Sequence, residues 1–466
     1  MLWLCALAPS AALAQSQQGQ LSPQLARRID ADVGAVLGRT QVPGAVVEVI
    51  AHGHVVYQKA YGLRDLARRL PARVDTHYEI GSITKQFTAA AIVQLQEAGK
   101  LDLDARLATY LPDAPHAGEV TLRQLLTHTS GLPEYLDGPD IEQEATRPAS
   151  FDQLMARIAG KPLDFPPGSR WAYDNTGYIL LGRVIEVVSH ESYDHYIHAH
   201  LLAPAGMTDT FTIADEARVP GMAVGYRRVD RKVEPAPTIS ASFGWSAGYL
   251  VSTLDDLEKW NRALTGGRIV SPKGYALMTT TTMTPRGDAE YGFGLFVDSV
   301  EDQPRIGHTG GSFGFTTANE YFPRQDVRII AFTNQVDTPE PGEVLTTAVF
   351  NDLFPDIAAA ATRPAPGEDP AVSARARAVF AQVQGGPQDA SNFTPKLNAK
   401  LTAGLQQRLA TAWSVYGQPE SFIFRGRRTA GDVTWFDYLV GFGPGNLLKF
   451  GIGLDSAGKV ASLSFG

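Results

Sequence analysis

Hydrophobic and polar positions fall into blocks with two different periods, and the order of the blocks outlines a fold. Ser22 to Leu37 has apolar residues at helical spacing and reads as an amphipathic helix. Gly44 to Ile50 reads as a strand, His52-Gly53 as a turn and Val55 to Tyr61 as a second strand, so the pair forms a hairpin. Helical patterns dominate from about Lys85 to Leu202. Strand-like runs return at Tyr291 to Val297, Glu320 to Phe322 and Val327 to Thr333. Strands at both ends with helices between predict an α+β domain. One antiparallel sheet is built from both ends of the segment and flanked by helices, with a helical region inserted.

A break in composition follows. Ala358 to Pro370 is rich in Ala, Thr, Pro and Gly with little periodicity, and reads as a linker. Beyond it Ala374 to Gln384 and Leu397 to Val415 have helical patterns. Four strand-like runs come next: Ser421 to Arg425, Val433 to Phe442, Leu447 to Leu454 and Val460 to Phe465, with turn chemistry at Asp455 to Gly458. A helix on a curved antiparallel sheet would bury that pattern, with Trp413, Tyr416, Trp435 and Tyr438 in its core. The expected organisation is a main domain over 22–356, a linker over 357–370 and a small α+β module over 371–466.

Composition adds limits. A chain of 466 residues with 44% hydrophobic and 19% charged residues can bury more than one core. The net charge of −8 and the lack of any basic block exclude nucleic acid as an expected partner. Leu2 to Leu13 is almost wholly apolar, Ala12-Leu13-Ala14 has the small-x-small form of a cleavage site, and the polar run Gln15 to Gln20 follows. Residues 1–14 therefore read as an export signal, which makes the mature chain periplasmic or secreted. The positive segment that usually opens such a signal is missing, so the true start is expected upstream of Met1. The apolar run is too short to span a bilayer, and no other span is expected. The single cysteine, Cys5, lies in that signal, so the mature chain has no disulfide, thiol nucleophile or thiolate metal site.

The candidate chemistry starts at Gly81-Ser82-Ile83-Thr84-Lys85. The segment Gln86 to Ala98 continues it as a mostly buried helix closed by Gly99. Ser82 then lies at the helix start with Lys85 three residues on, on the same face. A serine hydroxyl is a weak nucleophile until a base takes its proton. A lysine can be that base if burial depresses its pKa. Alone, the pair reads better as an N-cap serine and a solvated lysine. Two further segments change that. Tyr173-Asp174-Asn175 follows the loop Phe165 to Trp171; its phenol could relay a proton and its amide could bind a substrate amide. His308-Thr309-Gly310-Gly311 follows an expected turn at Asp302 to Gly307. Its glycines let a substrate backbone approach, Thr309 could bind a carboxylate or ester, and His308 could carry part-time positive charge.

The ordered set Ser82-x-x-Lys85, Tyr173-x-Asn175 and His308-Thr309-Gly310 resembles the three signature elements of the penicillin-recognising serine hydrolases: class C β-lactamases, D-alanyl-D-alanine carboxypeptidases and related esterases and D-aminopeptidases. Leu125 to Leu132, Pro204 to Thr210, Ser246-Ala247-Gly248 and Ser252-Thr253 are similar to further stretches of that family, so the resemblance runs from about Gln24 to Pro355. It implies a β-lactamase/transpeptidase-like fold and an acyl-enzyme on Ser82. Lys85 and Tyr173 would share base and acid duties, and the N–H groups of Ser82 and Gly311 would form the oxyanion hole. Asn175, His308, Thr309 and Gly310 would hold a small amide, lactam or ester, or a peptide, and no metal or organic cofactor would be needed. Thr121 caps a short helix that Gly131 ends, and His128-Thr129-Ser130 reads as structural support near the site. Two departures bear on substrate. His308 stands where many β-lactamases carry lysine, and Asp174 adds negative charge near the cleft.

Three other readings share these residues or this fold. Gly310-Gly311-Ser312-Phe313-Gly314 fits the G-x-S-x-G nucleophile elbow, but that motif needs a helix after it and Phe315 to Asn319 reads as strand. His195 and His198 could share a helix face and bind a metal, but a solvated helix face is the preferred reading. A slow penicillin-binding, peptide-binding or cell-wall sensor protein of the same fold would keep the cleft without turnover.

Overall fold

A computed structural model describes residues 19–212, 219, 221–229, 232–336, 340–414 and 416–465. The expected export signal over 1–14 lies outside the described residues. The chain divides into two compact units. One comprises residues 1–26 and 37–346, the other 27–36 and 347–466.

The first unit is built on a seven-stranded antiparallel sheet. Its strands are β1 (Gly44–Ala51), β2 (His54–Asp65), β3 (Leu70–Pro71), β4 (Phe296–Val300), β5 (Gln303–Gly311), β6 (Thr316–Phe322) and β7 (Val327–Thr333). Their order is β4-β5-β6-β7-β1-β2-β3. The two ends of the segment meet where β1 pairs with β7, Val47 opposite Ala331, which completes the sheet expected from the sequence. β1 is buried along its whole length, so its apolar residues run continuously instead of alternating.

Helices flank the sheet, and the middle of the chain's first helix is counted in the second unit. Helix α1 (Pro23–Thr40) opens on Ser22, whose hydroxyl accepts the Leu25 N–H, and carries Pro23 at its first position. Helix α2 (Thr84–Glu97) follows the 3₁₀ turn Gly81–Ile83 and is buried from Thr84 through Val93. Its buried polar side chains find partners inside: the Thr84 hydroxyl accepts the Leu250 N–H at 3.0 Å and the Thr88 hydroxyl donates to the Ser246 carbonyl at 2.7 Å. The helix packs against α4 (Thr176–Ser189) and α5 (Ala241–Gly248). Between them, α3 (Leu122–Leu126) is held by a capping box of Thr121 and Gln124. Helix α6 (Leu254–Thr265) starts at the Thr253 cap and buries Leu254, Leu257, Trp260 and Leu264.

One expectation fails here. Residues 303–307 are strand and not turn; the reversal is at Glu301 and Asp302, both at positive φ. Gly307 is needed for strand packing, because a Cβ there would lie 2.2 Å from the Asn319 carbonyl oxygen across the ladder. The strand read at 291–297 begins only at Phe296, and Phe315 to Asn319 is strand as expected.

In the second unit, helix α7 (Pro370–Val383) and helix α8 (Ala403–Ser414) accompany a four-stranded antiparallel sheet. Its strands are β8 (Ser421–Ala430), β9 (Val433–Gly441), β10 (Leu447–Leu454) and β11 (Val460–Phe465). Phe380, Phe422, Tyr438, Phe450 and Ile452 form the core. Trp435 instead is half-buried, with the Arg428 guanidinium 4.8 Å over its ring. The helical pattern at 397–415 splits into Pro395–Lys400 and α8, and the segment read as a linker opens on the helix Pro355–Ala361. Among the described residues no single helix is long and apolar enough to cross a membrane. The pair Pro341–Leu353 and Pro355–Ala361 passes by length and composition but is bent by 111°.

Candidate active site

The nucleophile candidate sits at a crowded junction. The turn carrying Ser82 lies against the end of β5, and two glycines allow it. Gly81 is at φ +52°, and a Cβ there would fall 2.7 Å from the Gly311 nitrogen. A Cβ on Gly310 would fall 2.0 Å from the Ile80 carbonyl oxygen. The glycines of the third motif therefore first serve close packing on the Ser82 turn.

Lys85 is fully buried, and its Nζ donates to three oxygens: Ser82 Oγ at 3.0 Å, Asn175 Oδ1 at 2.8 Å and the Ala247 carbonyl at 2.5 Å. Burial lowers its pKa to about 7, against an opposing pull from the Glu134 and Asp174 carboxylates. The rings of Tyr173 and Tyr178 lie 4.9 and 5.4 Å from the same nitrogen. Two of the three acceptors are carbonyl oxygens, which can only accept. They hold two N–H groups in every protonation state, so the third position of the nitrogen faces Ser82 Oγ. In the neutral amine that position is the lone pair.

Tyr173 is brought to the same place. Its hydroxyl is buried without a hydrogen-bond partner among the described residues. Burial drives its pKa well above 10, while the nearby Ser82 hydroxyl pulls the other way. The group is a neutral phenol at ordinary pH. The His128 ring lies against it, centroids 4.3 Å apart and tilted by 37°, and is itself wholly buried and held neutral.

Asn175 is tied into the protein through its amide. Besides the bond from Lys85, its Nδ2 and its backbone N–H both donate to Glu134 Oε2, at 3.0 and 2.7 Å. Both ends of its amide are engaged inside the protein. Asp174 is displaced from its expected role. It is buried, accepts from the Gly177 N–H at 2.6 Å in the first turn of α4, and burial raises its pKa to about 7. Its carboxyl is enclosed by the protein, and its charge is felt at Lys85.

His308 carries no part-time charge. Burial and the nearby Lys85 lower its pKa to about 3. Its Nδ1 bonds the Thr309 carbonyl, so Nδ1 bears the proton, and Nε2 accepts from the Tyr291 hydroxyl at 2.9 Å. Thr309 and Gly311 point their backbone groups outward. Ser312 N–H bonds the Phe315 carbonyl at 3.0 Å, which makes 312/315 a hydrogen-bonded pair and, by alternation, 311/316 an open one. On the other side β4 stops pairing at Gly307, so the Gly311 N–H faces the cleft. Ser82 lies in the first turn of its helix, where N–H groups have no acceptor within the helix.

Two contributors escaped the sequence reading. Ala247 acts through its backbone carbonyl, aimed by the neighbouring Trp245 at φ 30°, ψ −125° and by Ser246, whose hydroxyl bonds the Tyr178 carbonyl at 2.9 Å. The stretch Ser246-Ala247-Gly248 belongs to the family resemblance, but a carbonyl has no side-chain signature. Glu134 lies three residues beyond the helix end at Gly131, outside every motif of the sequence. The G-x-S-x-G reading fails on context, because Ser312 is followed by β6. His195 and His200 both face Glu191, at 3.4 and 3.1 Å. Among the described residues no group of three or more His, Cys, Asp or Glu could hold a metal ion.

A sheet with this order, a buried helix opening on Ser-x-x-Lys and the Tyr173 and His308 elements beside it define the class. The Beta-lactamase family model matches residues 25–354, and the chain belongs to that family. The chain is 32% identical over 298 residues to "Putative penicillin-binding protein PbpX" of Bacillus subtilis (strain 168), covering 64% of this chain and 72% of that one. A D-stereospecific amidohydrolase from Streptomyces sp. superposes with a TM-score of 0.60 at 26% identity, covering 70% of this chain and 98% of the other. An octameric penicillin-binding protein homologue from Pyrococcus abyssi covers 92% of this chain and 96% of its own, with a TM-score of 0.64 at 22% identity. Acyl-enzyme hydrolysis or binding is the chemistry that this fold family supports.

Proposed function

We propose that this chain is an exported serine hydrolase that forms an acyl-enzyme on Ser82 from a small amide, lactam or ester. The observation that carries the reading is the bonding of Lys85. Two carbonyl oxygens occupy two of its N–H positions and leave the third facing the Ser82 hydroxyl. With a pKa near 7, a sizeable share of Lys85 is the free amine at neutral pH. It takes the hydroxyl proton as Ser82 oxygen bonds the substrate carbonyl carbon. The N–H groups of Ser82 and Gly311 meet the oxyanion. As the C–N or C–O bond breaks, Tyr173 gives its phenolic proton to the leaving group and is reprotonated from Lys85. Water then hydrolyses the ester on Ser82. Export is supported by the apolar run Leu2 to Leu13 and the Ala12-Leu13-Ala14 site.

The neutral His308 argues for a substrate without a free carboxylate at that end. A buried imidazole with a pKa near 3, its two nitrogens engaged by the Thr309 carbonyl and the Tyr291 hydroxyl, offers no fixed charge. An amino-acid amide or ester suits this better than an anionic lactam. The likeness to a D-stereospecific amidohydrolase agrees with that direction.

Whole-protein mass spectrometry after incubation with a fluorescent penicillin, with Ser82→Ala alongside, tests the reading. An adduct or turnover in the parent alone is expected. A lasting adduct without turnover would favour the slow penicillin-binding alternative. Labelling or hydrolysis that survives Ser82→Ala would refute the mechanism. Hydrolysis of an anionic cephalosporin faster than of a D-amino acid amide would overturn the substrate preference.

A further inference from the structure

Glu134 lies in a loop that is tied down independently of the nucleophile. The Thr176 hydroxyl donates to the Pro133 carbonyl at 2.7 Å and accepts the Tyr135 N–H at 3.0 Å, clamping the residues on either side of Glu134 to the start of α4. Within this clamp the Glu134 carboxylate has three donors. The N–H of Leu136 reaches Oε1 at 3.0 Å, and the Asn175 N–H and Nδ2 reach Oε2 at 2.7 and 3.0 Å.

The consequence lies in the asymmetry of an amide. Asn175 has one end that donates and one that accepts, and both fit the same space. A carboxylate can only accept, so it selects the orientation with Nδ2 toward Glu134. Oδ1 is thereby turned to Lys85. With the opposite orientation, Lys85 would face an NH₂ group, lose one of its two obligatory acceptors, and no longer be constrained to aim its third position at Ser82. We infer that Glu134 is a positioning residue of the reaction, acting through the amide of Asn175 to aim the Lys85 nitrogen at the Ser82 hydroxyl. The inference rests on the acyl-enzyme reading above.

Glu134 also faces Lys85 as a charge. The other titratable groups around that nitrogen are Asp174, His128, His308, Tyr173 and Tyr178. Asp174 shares the sign and direction of Glu134's influence, while the two histidines are held neutral. Removing the Glu134 charge lowers the Lys85 pKa further, so more free amine exists at a given pH. A charge effect alone would therefore raise activity on the acid side. Loss of aim lowers it at every pH, and the two effects separate in one profile.

The experiment compares parent, Glu134→Gln, Asn175→Ala and the double variant on a short-chain p-nitrophenyl ester across pH, with Ser82→Ala as control. Glu134→Gln retains size but keeps a single acceptor, so an NH₂ group must face either the Leu136 N–H or the two Asn175 donors. It is expected to lower kcat at the plateau by about ten- to a hundredfold with little change in KM, the scale of a misaimed catalytic group. Its acid limb is expected to move to lower pH. In the Asn175→Ala background the same change should cost no more than about twofold, because it acts through Asn175. Equal plateaus for parent and Glu134→Gln, or full additivity of the two changes, would overturn the inference. Should Glu134→Gln melt below assay temperature, Glu134→Asp takes its place. It retains the charge on a shorter stem, so the plateau should fall, non-additively with Asn175→Ala, while the limb stays. Activity surviving in Ser82→Ala would instead reject the acyl-enzyme reading and leave the Glu134 comparison to be judged on the Lys85 pH limb alone, which must still move.

Discussion

The first unit buries two cations in opposite ways. Lys85 meets a hydroxyl, an amide oxygen and a backbone carbonyl, with no carboxylate in direct contact. Arg305 on β5 meets three carboxylates, Asp298 at 2.7 Å, Glu320 at 2.6 Å and Glu343 at 2.9 Å. Both lose water. For Lys85 that loss wins and the pKa falls to about 7. For Arg305 the three carboxylates outweigh burial, and the guanidinium stays protonated well above its ordinary range. Burial alone thus does not make a base. A base needs neutral acceptors that orient the nitrogen without paying back its charge. The two residue types fit their settings: an amine can lose its proton, and a planar fork can reach several carboxylates at once.

Exchanging the chemistry of the two sites gives the largest expected effect. Lys85→Arg cannot deprotonate, and acylation should fall by roughly a thousandfold or more, the scale of a lost general base. Labelling by fluorescent penicillin would read it, and labelling at the parent rate would end the assignment of Lys85. Arg305→Met leaves buried carboxylates unpaired and should cost about 3–5 kcal/mol of stability. Its kcat/KM below the melting transition should stay within about twofold of the parent, since the residue is not part of the Lys85 bonding set. A thermal melt beside an ester assay separates the two sites.

Titration comes next in size. Activity should fall about tenfold per pH unit below the Lys85 pKa near 7, because only the free amine accepts the Ser82 proton. A kcat/KM profile flat from pH 5 to 8 would contradict it. The smallest effect concerns a carboxyl with neither kind of partner set. Glu48 on β1 accepts one bond from Gln58 Nε2 at 2.6 Å, and burial raises its pKa to about 7. Since the folded pKa exceeds the unfolded value of 4.5, folding binds a proton; stability is lost as pH rises from about 4.5 through 7. Glu48→Gln should therefore stabilise by roughly 2 kcal/mol at pH 8 and by much less at pH 4. Equal melting shifts at both pH values would show that Glu48 does not titrate in this window.

Much of this was legible in the residues. The hairpin of β1 and β2, the buried helix after Ser82 and the antiparallel sheet closed by Val327–Thr333 follow from periodicity. The Ser82 and Lys85 pairing follows from three-residue spacing on one helix. The errors were of one physical kind. Gly307 signalled a turn because glycine usually marks one, yet here it permits two strands to approach. His308 and Asp174 were given charges suited to exposed groups, and both are buried.

Periodicity and spacing are properties of neighbours in the chain, so the order of elements, the Ser82-x-x-Lys85 geometry and the family resemblance could be read from the residues without coordinates. Protonation and orientation are properties of neighbours in space. The Lys85 pKa, the neutral state of His308, the internal engagement of Asn175 by Glu134 and the Ala247 carbonyl all depend on water being excluded and on acceptors arriving from distant segments. Those were decided only when 82, 134, 175, 247 and 308 came together.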